Sequence, residues 1–432
     1  MRDKAKVNKI TLSDQIYIDK DDVQDDKYLL SLFTYVNGVK GDEIISNIQE
    51  TEDQYIVPSN AYYKLEFQEA EDERTFEQLD YDIVFSGNLR HEQQEVVDKF
   101  FIRGKPRSGL IQAKPGWGKT FAACNLIARS KVKTLILVHT KLLYNQWLKE
   151  LAAQLPQMTI GKVGDGKFQL EDITVAIYKT AHNNIAELKD FFSMVIVDEA
   201  HKCPANMFSN VVNGLTAKVK IAMTATPRRK DGKHIFLADF FTQFAVKAVD
   251  SRILAVPSVK VYQTDFRFAP IDPKRDWART MNKLCEDSKY QEFIANLAIG
   301  YIKQGRRPLI VGERVQMLKS IQALIPKSIL VIGETKDDVR EAALAGLGPT
   351  YNAILSTKLF DEGISCHRLD TFISTCPNNN PTTLEQRIGR IEREHPDAQF
   401  PLVVDIWLRG PIVYRQQVAR MNWYQLNGYN VL

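Results

Sequence analysis

Runs of apolar residues that break off at a glycine, a hydroxyl or a charge recur through most of this 432-residue chain and set its organisation. The run TLILV at 134–138 is apolar almost throughout, the pattern of a strand buried on both faces of a parallel sheet. Similar runs stand at 173–178, 194–197 and 219–223, separated by stretches with helical spacing. Strand-like 244–249 and 259–266 lead into a polar, aromatic-dotted segment at 268–290. The series then resumes at 307–312, 328–333, 351–357, 370–374 and 401–406. Strand and helix alternating in two successive series predict an α/β chain with two parallel-sheet layers. Residues 1–85 read differently, with short alternating signals at Ile10, 16–18, 29–33 and 62–67 and one candidate helix. They predict a small α+β accessory domain. QEAEDERTFEQLD at 68–80 reads as a charged linker or an exposed helix that joins it to the rest. The expected division is 1–85, 86–245 and 246–432.

Composition narrows the class. Apolar content of 44% and charge of 25% describe an ordinary soluble globular protein. No apolar run approaches the roughly 20 residues a membrane span needs, so no membrane partner is expected. The opening MRDKAKVNKI lacks the pattern of a signal peptide. Cys124, Cys203, Cys285, Cys366 and Cys376 are scattered with no C-x-x-C pair, which argues against a zinc site or a disulfide framework. A reducing, cytoplasmic location follows as the expectation, the host cytoplasm if the chain is viral. The net charge of +4 hides an asymmetry, because residues 1–85 hold 9 Lys and Arg against 20 Asp and Glu. That leaves −11 at the front and +15 on the remainder. A basic body suits a polyanionic partner, and an ordinary solvated surface accounts for the charge equally well.

The most specific chemistry lies in IQAKPGWGKT at 111–120, between a short apolar run and the helical FAACNLIA at 121–128. Strand, glycine-bearing loop and helix form the setting of a phosphate-binding loop. Gly116 and Gly118 allow backbone conformations closed to other residues, so that the N–H groups of the nucleotide-binding loop Lys114, Pro115, Gly116, Trp117, Gly118 can converge on a phosphate. The helix start adds its positive dipole end. Lys119 supplies charge for β- and γ-phosphates, and the Thr120 hydroxyl suits a Mg2+ ligand. Just upstream, Gln93 in LRHEQQEVV can donate to and accept from an adenine edge, with Arg90 stacking or bracing beside it. A surface glutamine fits that local pattern as well.

Four apolar residues at 194–197 deliver Asp198, Glu199, Ala200 and His201. Asp198 can hold Mg2+ through water, and Glu199 can orient and deprotonate the attacking water. His201 could relay to Thr224 and Thr226 in TATP at 224–227. Thr140 with Lys141, and Lys179 with Thr180, follow predicted strands where open α/β sheets bind ligands, so both pairs could touch phosphate oxygens. A helix cap is an equal use for either threonine. Late in the second series, QRIGRIER places Gln386, Arg390 and Arg393 near one helix face. The two arginines could neutralise charge on a transferring phosphoryl group, as arginine fingers do.

Taken in order, these elements resemble the superfamily 2 helicases and translocases. Residues 112–120 look like motif I, 134–147 motif Ia, 198–201 the DEAH form of motif II and 224–227 motif III. Residues 307–314, 356–365 and 386–393 look like motifs IV, V and VI. LRHEQQ is similar to the LRPYQ-type element of the XPB, UvsW and related DNA-dependent branch, and the whole is most similar to phage branch-migration helicases of the UvsW kind. The resemblance implies two RecA-like parallel-sheet lobes with the small N-terminal domain, ATP and Mg2+ between the lobes, and DNA across the top. It adds Gly363 to the nucleotide contacts and Arg314 and Thr357 to the nucleic-acid contacts. Two positions depart from the pattern: Ala113 stands in place of the first motif I glycine, and Ser365 where many relatives place Asp. The implied activity is an ATP hydrolase that drives a helicase or translocase on forked, branched or duplex DNA. A monomer is expected, with recombination or replication proteins as further partners. An RNA helicase is the alternative enzyme, and an ATP-switched remodeller that separates no strands is the alternative of another class.

Overall fold

A computed structural model describes residues 4–37, 43–202, 206–225, 233–250, 256–272, 275–357, 368–377, 381–391 and 399–432. The chain divides into two compact units, Met1–Ser251 and Arg252–Leu432.

The first unit opens with a five-stranded mixed sheet, in the order Gln49–Glu50, Gln54–Pro58, Gln15–Asp19, Ala5–Leu12, Leu65–Asp72. Val7, Ile10, Ile16, Ile18 and Val57 share one core with Leu29 and Phe33 of the helix Asp26–Phe33, the buried–exposed alternation of Ala5–Leu12 slipping by one residue at Asn8–Lys9. Asp25 caps that helix by accepting from the Tyr28 N–H at 2.9 Å. The segment expected as a linker or helix at 68–80 instead begins as strand. Leu65–Asp72 pairs in parallel with Ala5–Leu12, and only the residues after it are irregular. Its charged residues suit a sheet edge, where they discourage pairing with another chain.

The larger sheet of this unit has eight strands. Seven run parallel, in the order Ile160–Gly164, Ile173–Ile177, Thr134–Val138, Met194–Asp198, Val219–Thr224, Gly109–Gln112 and Ala245–Lys247. Lys167–Gln169 adds an antiparallel edge. The continuous apolar runs occupy the middle of this sheet, with every residue of Thr134–Val138, Met194–Asp198 and Val219–Thr224 buried. Helices cover both faces, as a fully buried parallel sheet requires. Ala245–Lys247 pairs with Gly109–Gln112, so the first sheet takes in residues up to 247.

The N-terminal sheet is fixed to the larger one through a buried carboxylate. Asp239, fully inaccessible on the helix Leu237–Phe241, accepts from the Tyr35 hydroxyl at 3.0 Å, the Asn47 amide at 3.0 Å and the Tyr63 hydroxyl at 2.7 Å. Lys64 Nζ lies 2.7 Å from the same group. Removing one member of a buried ion pair leaves the other charge uncompensated, which typically costs about 3–5 kcal/mol. Asp239→Ala is therefore expected to lower the stability of the first unit by about that amount. A fall in the urea midpoint of the full-length protein measures it.

The second unit holds a seven-stranded sheet that is parallel throughout. Its order is Ser328–Val331, Ala353–Ser356, Pro308–Val311, Thr371–Ser374, Leu402–Arg409, Ser258–Arg267, Asn430–Val431. The segment at 268–290 contains the helix Trp277–Glu286 and the start of Ser288–Lys303, which pack Met281, Leu284, Tyr290 and Ile294 onto this sheet's core.

Candidate nucleotide site and nucleic-acid contacts

The site grows from the carboxyl end of Gly109–Gln112. That strand is paired in parallel on both sides, and Ala113 N–H extends the ladder by donating to Thr224 O at 3.1 Å. The chain then turns through Gly116 at φ 79° and Gly118 at φ 93° into the helix Lys119–Ser130. Both glycines thus take the left-handed backbone that their positions in the sequence predict. At Gly118 space adds a second reason, because a Cβ there would come within 2.6 Å of Gln93 Nε2.

The loop is held from the helix His91–Asp98. Trp117 O accepts from Gln93 Nε2 at 2.9 Å and from Arg90 Nη2 at 2.6 Å. Gln93 Oε1 in turn accepts from Arg90 N–H at 3.0 Å. Both functions of the Gln93 amide are thus engaged inside the protein, and its visible work is to brace the loop. The Trp117 indole is wholly buried and donates to Val249 O at 3.0 Å, so this residue can face a phosphate only through its backbone. Lys119 Nζ lies along the loop and donates to Ala113 O at 2.9 Å. Thr120 follows in the first helical turn.

Two strands away, Asp198 ends Met194–Asp198. Its Oδ2 accepts from the fully buried Trp147 indole at 2.9 Å, and its Oδ1 from Glu199 N–H at 2.9 Å. Burial and the neighbouring Glu199 charge raise the Asp198 carboxyl above the usual range. Glu199 sits at φ 50°, a left-handed conformation that costs free energy in a non-glycine residue and is concentrated at functional sites. Burial alone would raise its carboxyl too. The His201 ring and the Lys119 ammonium outweigh that effect and pull it down to about 2, so Glu199 is ionised at neutral pH. His201 Nδ1 stands 3.3 Å from Glu199 Oε2 and 3.1 Å from Thr224 Oγ1, linking this carboxylate to the end of the next strand. Thr226 lies outside the described residues.

The donor set fits Mg2+. Among the described residues no group of three or more His, Cys, Asp or Glu could hold an ion without help. One carboxylate with a hydroxyl is what Mg2+ uses when waters and substrate phosphates complete its shell. Asp198 and Thr120 would hold it, and each Asp198 oxygen carries one protein hydrogen bond, leaving lone pairs for the metal's waters.

The candidate nucleic-acid residues occupy strand ends and first helical turns. Thr140 caps the helix Lys141–Gln154, accepting from Leu143 N–H at 3.3 Å, and Lys141 pairs with Asp165 at 2.7 Å on the surface. The strand expected to reach 178 stops at Ile177. Lys179 and Thr180 fall inside the helix Tyr178–Asn183, whose N-cap is Ile177, so Thr180 is not a cap. In the second unit Arg314 precedes the helix Val315–Leu324 and donates through Nε to Asn282 Oδ1 at 2.8 Å. Thr357 follows Ala353–Ser356 at the same carboxyl edge. The helix expected to carry Gln386, Arg390 and Arg393 is shorter than that spacing requires. Pro381–Ile388 includes Gln386, but Arg390 lies in the turn after it, its N–H bonded to Arg387 O at 3.2 Å. Gly389, which favours non-helical backbone, stands at the break. Arg390 is buried, and Arg393 and Gly363 lie outside the described residues.

Trp147 is the functional neighbour the sequence did not announce. It is visible there only as an apolar residue of a helix, 51 positions before the carboxylate it supports.

A phosphate loop ending in Lys–Thr, with an Asp–Glu pair at the end of the next strand but one in a parallel sheet, defines a P-loop nucleoside triphosphatase. Residues 86–229 match the family described as "Type III restriction enzyme, res subunit", and residues 288–395 match the "Helicase conserved C-terminal domain". "Probable helicase D10" of Escherichia phage T5 is 30% identical over 331 residues, covering 75% of this chain and 73% of that protein. The "DNA 3'-5' translocase XPB2" of Sulfurisphaera tokodaii is 24% identical over 76% of this chain and 83% of its own length. The fold is also that of S. cerevisiae Dbp5, solved bound to RNA and ADP BeF3. The match has a TM-score of 0.59 at 12% identity, over 78% of this chain and 88% of that one. The chain belongs to the superfamily 2 helicases, and its two parallel-sheet units are RecA-like lobes. It is an ATP-dependent helicase, hence a hydrolase and a nucleic-acid-binding protein. Among the described residues no helix is long and apolar enough to cross a membrane.

Proposed function

We propose that this helicase is a DNA-stimulated motor that remodels forked or branched DNA, using ATP with Mg2+. The observation that carries the DNA assignment is the LRHEQQ element, which resembles the DNA-dependent branch of the superfamily and is built into the nucleotide site through Arg90 and Gln93. The relative named as a DNA translocase supports it.

In this reading Lys119 and the loop N–H groups bind the β- and γ-phosphates, and Gln93 exchanges its bonds to Trp117 O and Arg90 N–H for the adenine edge when nucleotide arrives. Thr120 and Asp198 would hold Mg2+, which would supply positive charge against that developing on the phosphates. Glu199 orients the attacking water and accepts its proton. Arg390 and Arg393, with Gln386, supply positive and polar groups to the transferring phosphoryl, and Gly363 contributes a nucleotide contact. His201, Thr224 and Thr226 couple hydrolysis to the grip on DNA. Thr140, Lys141, Lys179, Thr180, Arg314 and Thr357 hold backbone phosphates, which gives affinity with little sequence preference.

The test compares ATPase rates with single-stranded DNA, linear duplex, a fork, a four-way junction and structured RNA. The expected result is strongest stimulation by fork or junction, with affinity falling by about 0.9 in log K per log unit of salt for each phosphate engaged. Stimulation mainly by RNA would make this an RNA helicase. A DNA response with blank strand-displacement and branch-migration assays would make it an ATP-switched remodeller.

A further inference from the structure

A second basic site lies at the opposite end of the first unit's sheet. Tyr62, Arg74, Phe76, Lys105, Arg107 and Lys218 line a cavity of about 240 Å3 where the N-terminal sheet meets the larger one. Gly109–Gln112 and Val219–Thr224 begin here and run away from it towards the nucleotide loop. Six residues of extended strand separate the two ends, on the order of 20 Å.

Four cations line the cavity, and two of them share one carboxylate. Arg74 donates to Asp72 through Nε at 2.7 Å and Nη2 at 2.9 Å, and Lys218 Nζ lies 2.7 Å from the same group. Burial would raise the Asp72 carboxyl, but these two partners hold it well below the usual range, so it stays ionised and offsets a single charge. No lining residue is acidic, and the cluster therefore keeps three positive charges. The Arg107 part of the geometry is also fixed in advance. The Arg107 guanidinium lies 3.6 Å from the centre of the Phe244 ring. Lys105 is exposed on the short hairpin Phe101–Ile102 with Lys105–Pro106, whose tip residues Arg103 and Gly104 take left-handed backbone.

The size selects among anions. Pockets for drug-sized ligands run from about 300 to 1,000 Å3, so this cavity is small for a whole nucleotide but ample for one phosphate group. Convergent Lys and Arg groups suit phosphate oxygens. We infer that this cavity binds a backbone phosphate of a second nucleic-acid segment, remote from the strand engaged at the carboxyl edge of the sheet. The inference rests on the branched-DNA reading, in which two arms of one substrate meet the same molecule.

The test compares wild type with the Lys105→Ala, Lys218→Ala double variant on linear duplex and a four-way junction across a salt series. Neither residue touches the nucleotide loop, so ATPase without DNA should be unchanged. The expected result is a loss of junction affinity of about tenfold, with the salt slope shallower by about 0.9 for each phosphate contact removed, and linear-duplex affinity unaltered. A wild type that prefers junctions and a variant with the same preference and slope would overturn the site while leaving the branched-DNA reading intact. A wild type with no junction preference counts against that reading, and an unchanged slope on every DNA then overturns the site as well. Inorganic phosphate alone tests the other source of this chemistry. If it raises the thermal midpoint of wild type but not of the variant, and DNA binding is the same in both, the cavity belongs to a free anion and the DNA assignment falls.

Discussion

Glu199→Gln should lower kcat for ATP by about 10²–10⁴, the range a positioned general base contributes, while KM for ATP changes little. The substitution keeps the volume and one acceptor oxygen and removes the charge. That charge is what the surroundings of Glu199 maintain. His201 stands 3.3 Å away, and with Lys119 it holds the carboxyl near 2 against the effect of burial. Glu199 follows Asp198 directly and takes left-handed backbone at φ 50°. Single-turnover hydrolysis and nucleotide titration on the same preparation measure the two parameters. Normal turnover in the variant would remove the role, and a matching loss of ATP affinity would reassign Glu199 to ground-state binding.

The parts of this molecule that were legible in the sequence are those whose signal is local. TLILV and MVIVD are buried on both faces, so they read as parallel strands without knowledge of their neighbours. The glycine loop announced its own backbone, and Gly116 and Gly118 have the positive φ that their spacing implied. Partnership at a distance leaves no such trace. Residues 68–72 looked like linker because an edge strand exposed at nearly every position has no alternation to show, and only pairing with Ala5–Leu12 makes it a strand. The Trp147–Asp198 bond spans 51 positions and the Tyr35–Asp239 bond 204, and nothing in either neighbourhood points to the other. The helix expected over 386–393 ends at Ile388, and Gly389, a residue of low helix propensity, stands in view just after it.

Lys119→Ala should cost both binding and rate. The wild-type ammonium is held ready 2.9 Å from Ala113 O, and a neutral carbonyl is a weaker partner than a phosphate. Loss of one preorganised charge on the transferring group is expected to lower kcat by about 10²–10³, with KM for ATP rising as well. A second effect separates this variant from Glu199→Gln. The Lys119 charge lowers the carboxyl pKa of both Asp198 and Glu199, so its removal should let both rise. Activity that needs Glu199 ionised is lost as pH falls through that pKa. The acid limb of the residual kcat profile should therefore lie at higher pH in Lys119→Ala than in wild type. Lys119→Arg, which restores charge with a different shape, should bring the limb back while recovering only part of the rate. An acid limb at the wild-type position in Lys119→Ala would show that the ammonium does not set the ionisation of the carboxylate pair. The lysine would then act on the phosphates alone.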